Sequence, residues 1–105
     1  METVISGAQV AAGRVLSGVS RAKLAIRSGV EAEAIRRIEI AGSAPLPASE
    51  ELGAILRALD SFGVVFIDDG DGLGAGVRLK FTRRESQAIG AWEDEGGVVG
   101  DDDVP

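Results

Sequence analysis

SRAKLAIRSGVEAEAIRRIE, residues 20–39, decides how the rest of this chain is read. It divides into two short helices around a tight turn. Ser20 is a hydroxyl placed to cap the free N–H groups of a first turn. Leu24 and Ala25 then face inward. Gly29 stops the helix, because a helix end often needs a residue at positive φ. Val30 follows as an apolar plug. A second helix is expected over 31–40, with Ala34, Ile35 and Ile38 on one face by three- and four-residue spacing. Its other face carries Glu33, Arg36 and Arg37. On their own, these arginines fit the solvated side of an amphipathic helix as well as they fit a binding surface.

Ser20, Leu24-Ala25, Gly29-Val30, Ile35 and Glu39 follow the spacing S-x-x-x-L-A-x-x-x-G-V-x-x-x-x-I-x-x-x-E. In this the chain resembles the Xre-type (Cro/lambda-repressor-like) helix-turn-helix transcriptional regulators. The resemblance spans about residues 5–63. A strand-rich extension to about residue 81 is similar to one in small bacterial or phage members. The fold this implies is mainly α: a lambda-repressor-like four- to five-helix bundle with a helix-turn-helix, plus a C-terminal β-hairpin and an acidic tail. The function it implies is sequence-specific binding of double-stranded DNA as a homodimer, with repression as the expected outcome. Helix three would enter the major groove and helix two would lie across the backbone. By position, Ala32, Glu33 and Arg37 match the family's base-reading places. Arg21 matches a place that touches phosphate and the first bases, and Arg36 and Lys23 are expected at phosphates. Arg can grip guanine through two hydrogen bonds, and Glu can accept one from cytosine. The resemblance further implies an ion pair between Arg14 in helix one and Glu39. After Glu39 the chain departs from the family: Ile40-Ala41 stand where a polar or basic residue and a glycine are usual.

Composition narrows the chemistry. Among 105 residues there is no Cys, His or Tyr. That removes disulfides, thiolate metal sites, cysteine nucleophiles and the usual general base near neutral pH. Each serine fits a cap or a loop, with no histidine to activate it. No enzyme, cofactor or metal is expected. Net charge is −6, divided unevenly: +1 over residues 1–59 and −7 over 60–105. The acid therefore lies mostly outside the stretch that resembles a DNA-binding motif. No apolar run approaches the ~20 residues that span a membrane, and no secretory signal is visible. The expected location is cytoplasmic, at the nucleoid.

The flanks complete four expected segments: a DNA-binding domain over 1–63, a hairpin over 64–81, a short helix over 82–94 and a disordered acidic tail over 95–105. Ser6 is placed to cap a first helix over 7–17, with Ala8, Ala11, Ala12, Val15 and Leu16 as its apolar stripe, and Val19 enters the core. A loop with two prolines follows Glu39. Ser49 or Pro47 opens a helix over 48–62, striped by Leu52, Ile55, Leu56 and Leu59. Val64–Ile67 reads as a strand, and 77–81 alternates Val77, Leu79 and Phe81 against Arg78 and Lys80. A lone hairpin is marginal in water, so it must pack on the helices or pair with another copy. Val64, Phe66, Val77, Leu79, Phe81 and Trp92 are accordingly the candidate dimer surface. The glycine- and aspartate-rich stretch between the strands lacks both phosphate-binding glycine spacings. It also fails as a calcium loop, with Leu73 and Lys80 where oxygen ligands belong. Thr82–Glu85 fits a capping box. The acidic tail either solubilises the chain or competes with DNA for a basic face. A second functional class stays open: a protein-binding adaptor, or an antitoxin-like partner, that uses the bundle without reading DNA. Glu31, Glu33 and the acidic C-terminal half favour it.

Overall fold

The computed structural model describes residues 4–82. The expected 82–94 helix (but for Thr82), the 95–105 tail and Trp92 lie outside the described residues. Each helix begins where its cap dictates. Helix α1, Gly7–Leu16, follows Ser6, whose hydroxyl accepts from the Gln9 N–H while the Gln9 side chain accepts from the Ser6 N–H, a reciprocal capping box. Helix α2, Arg21–Ser28, follows Ser20, which accepts from the Lys23 N–H, and ends at Gly29 with φ 79°. Helix α3, Ala32–Ile40, starts after Glu31 without a side-chain cap. Helix α4, Glu50–Ser61, is capped by Ser49. Strands β1, Val64–Ile67, and β2, Gly76–Leu79, form a two-stranded antiparallel sheet in register Val64↔Leu79 and Ile67↔Gly76. The protein is thus mainly helical, with four helices among the described residues. None of them is long and apolar enough to cross a membrane.

α1 packs on α3 and on the sheet, α2 packs on α3 and α4, and α4 also meets β1. Val10, Leu24, Ile35, Ile55, Leu59 and Val64 fill the centre. The stripe expected on α1 needs correction. Ala8, Ala12, Val15 and Leu16 face solvent, and Gln9, Val10 and the two glycines Gly7 and Gly13 face inward. Close approach explains it. A methyl on Gly7 would run into the Ile38 carbonyl oxygen, and one on Gly13 would stand 2.9 Å from Val64. α1 therefore turns toward its partners the side that lets backbones come nearest.

The hairpin settles on the helices. Val64 is only 2% exposed, and Phe66, Val77 and Leu79 pack against the same core. Phe81 lies over Gly63, where a methyl would stand 2.5 Å from its ring. Val64, Phe66, Val77 and Leu79, expected on a dimer surface, pack on the chain's own core, and Phe81, expected with them, lies against Gly63. The alternation marks one buried face, and α1 supplies what buries it. Gln9 strengthens the joint: its amide donates to the carbonyls of Gly76 at 3.0 Å and Ile67 at 3.4 Å. Between the strands the chain tightens at Asp71-Gly72. Both have positive φ, and Gly70 and Leu73 exchange two 2.9 Å backbone hydrogen bonds. That is the geometry of a primed two-residue turn, which Asp-Gly favours.

Candidate functional site

α3 is held from behind by one carboxylate. Glu39, with a side chain 3% exposed, accepts from Arg14 Nε at 2.6 Å and Nη2 at 3.1 Å. Arg21 Nε donates to the same carboxylate at 2.9 Å. Arg14 also donates through Nη1 to the Val19 carbonyl. One buried anion thereby joins α1, the α1–α2 connection, the first residue of α2 and the last turn of α3. The two-pronged Arg14 contact fixes direction as well as distance. Ala34 and Ile35 bury the rest of the inner side.

The outer side of α3 presents Ala32, Glu33, Arg36, Arg37 and Ile40, all exposed. Arg36 grips Glu33 with Nε on Oε1 at 3.1 Å and Nη2 on Oε2 at 2.8 Å, and Arg37 Nη1 stands 3.9 Å from the same carboxylate. The Arg36 hydrogen bonds hold the Glu33 carboxyl below its usual value of 4.5, with further help from the charges of Arg36, Arg37 and Arg21. Reciprocally, Glu33 raises Arg36 above its usual value.

Four of the six residues expected to meet DNA therefore share the outer face of α3: Ala32, Glu33, Arg36 and Arg37, while Arg21 is bound to Glu39. Lys23 does not join them. It lies ~200° around α2 from Arg21, with its ammonium 5.7 Å from the Phe62 ring centre. Arg27, one turn on, stacks over the same ring at 4.5 Å and donates to Ser61 Oγ at 2.7 Å. Lys23 and Arg27 thus clasp the end of α4, a pairing that their four-residue spacing could have shown. Two apolar residues also stand at the surface of these helices. Ile26 on α2 is 85% exposed. Ile40 lies four residues beyond Arg36, on the arginine face.

Chemically, the outer face offers two guanidiniums able to bind anions or base edges, with one of them engaged by its own carboxylate. Compared with known proteins, the chain matches no family model and no curated protein.

Proposed function

We propose that this chain is a sequence-specific DNA-binding transcriptional regulator, a repressor, built on a lambda-repressor-like bundle. In this reading α2 and α3 form the helix-turn-helix, α3 enters the major groove and α2 crosses the backbone. One observation carries it: Arg36 and Arg37 project from a helix whose opposite side is pinned by Glu39 to Arg14 and Arg21. A groove-reading helix needs such a rigid mount, because a base contact fails if its donor wanders. Arg37 and Ala32 would meet base edges, Arg36 and Arg21 phosphates. A single module covers little surface, so useful affinity calls for a homodimer on two half-sites. With the inward hairpin face already used, the outer residues Val65 and Ile67 and the open strand edges are the sheet's remaining means of pairing.

The test is selection from fragmented genomic DNA at near-physiological salt, with wild type beside an Arg36→Ala/Arg37→Ala variant. Wild type should enrich one motif with two-fold symmetry, and the variant should not. No enrichment by wild type would overturn the reading.

The two-pronged Glu33–Arg36 pair favours a second reading, a protein-binding adaptor or antitoxin-like partner, because it offsets charge that phosphates would need. Salt separates the two. DNA affinity should fall with a slope near −0.9 per phosphate contacted, whereas an apolar protein contact should barely respond.

A further inference from the structure

Strand β2 leaves one row of backbone groups unused. The Lys80 N–H donates to the Gly63 carbonyl, directly across the register. Hydrogen-bonded pairs alternate along an antiparallel ladder, so Val65↔Arg78 and Ile67↔Gly76 are the pairs that exchange bonds. The N–H and C=O groups of Val77 and Leu79 therefore point away from β1, and among the described residues they meet no partner. Beside that edge runs an open groove of about 510 Å³, reached by Gly76 and Val77 from the strand and by Ala8 and Ala12 from α1. β2 runs alongside α1 in the same direction: Gly76 is bonded to Gln9, and Leu79 pairs with Val64 on Gly13. Ala8, Ala12 and Leu16, four residues apart and all exposed, extend this apolar floor past the edge of the sheet.

We infer that the free edge of β2 takes an extended acidic segment of a partner protein, which joins the sheet as a third strand over α1. Main-chain hydrogen bonds to Val77 and Leu79 would hold it, and its side chains would set the choice. They point alternately to the two faces. Those turned inward meet a floor of alanines, which leaves room for branched apolar groups. Those turned outward lie beside Arg78, which is exposed and forms no ion pair among the described residues. A carboxylate there completes a cross-strand pair. Asp69 borders the groove at its Gly76 end, so the acid belongs toward Arg78.

The same charge decides against a second copy as the occupant. Two copies joined in register through β2 would set Arg78 against the second copy's Arg78 or Lys80, a like-charge contact that a sheet disfavours, or against Gly76, where it meets nothing. The edge of β1, flanked outward by Val65 and Ile67, is left for pairing of copies. The inference holds whether or not α3 reads DNA.

The probe is a capped hexapeptide of alternating valine and glutamate, with its valine–lysine counterpart as control, titrated into the isotope-labelled full chain and followed by NMR. In the free chain the amides of Val77 and Leu79 should exchange with solvent many-fold faster than that of Arg78, which is bonded to β1. The glutamate peptide should shift both edge amides and slow their exchange, and the lysine peptide should not. Arg78→Glu, at an exposed position, should reverse that choice. No shift at Val77 and Leu79 up to millimolar glutamate peptide would overturn the inference, as would equal binding of both peptides by wild type. So would edge amides already protected in the free chain. Protection at every concentration would mean that the chain covers its own edge, and protection lost on dilution would mean that a second copy does.

Discussion

Helix α3 carries two clusters of the same composition, one carboxylate and two arginines each, six residues apart and in opposite surroundings. Glu39 meets Arg14 and Arg21 with its side chain 3% exposed, whereas Glu33 meets Arg36 and Arg37 with its side chain 56% exposed. The inner cluster joins three helices, and the outer one stays within a single helix. Burial makes the inner one structural, because removing a partner leaves a charge without water to solvate it. Water screens the outer one, so its arginines can exchange Glu33 for another anion. Equal formal charges thus give an anchor on one side and an exchangeable surface on the other.

The contrast breaks first at Glu39. Glu39→Ala should cost about 3–5 kcal/mol, read as a fall in the urea midpoint. A cost no larger than that of an exposed pair would erase the distinction. Gly7→Ala comes next. Its methyl would push α3 off α1 and stretch the Arg14–Glu39 contact, at about 1–3 kcal/mol, measured by thermal denaturation. Arg21→Ala should matter less, about 0.2–1 kcal/mol, because that arginine is 42% exposed and Arg14 keeps Glu39 paired. Glu33→Gln should cost less still, because water screens its pairs with Arg36 and Arg37. If α3 reads DNA, it should tighten binding and steepen the salt dependence by about one phosphate. Unchanged DNA affinity in that variant would favour the protein-partner reading. The smallest effect is on proton binding. The folded carboxyl of Glu33 lies below 4.5, so the stabilisation it gives is present above that pH and is lost as pH falls through the lowered value. In Arg36→Ala the Glu33 titration followed by NMR should move back up toward 4.5.

Much of the architecture was legible because its punctuation is local. Ser6, Ser20 and Ser49 cap the helices, Gly29 takes the left-handed conformation that ends α2, and Val64–Ile67 forms the strand that its β-branched residues suggested. The facing of α1 was not legible. A count of apolar residues gives no weight to Gly7 and Gly13, yet those two make its closest contacts, and the polar Gln9 sits inside to hold the hairpin's carbonyls. Hairpin alternation told which side chains share a face but not whether that face meets its own chain or another. At the site, spacing grouped Glu33, Arg36 and Arg37. It missed that Lys23 turns away, because α2 has cationic residues on both sides and the ring of Phe62, 39 residues beyond Lys23 in the sequence, lies under both Lys23 and Arg27 at the end of α4.

The seat of Gly7 against Ile38 has a consequence for the connection after α3. The Ala8 N–H donates to the Gly42 carbonyl and the Leu46 N–H to the Ile5 carbonyl, so the early part of that connection is stitched to α1. Beyond Leu46, Pro47 and Ala48 are exposed and lead to the cap of α4. The aim of α3 is thus inherited from α1 and owes little to how far the chain travels before α4. Extra residues between Pro47 and Ala48 would cost little, since doubling a flexible loop adds only ~0.6 kcal/mol. That junction is where the chain can accept an insertion without turning its arginine face.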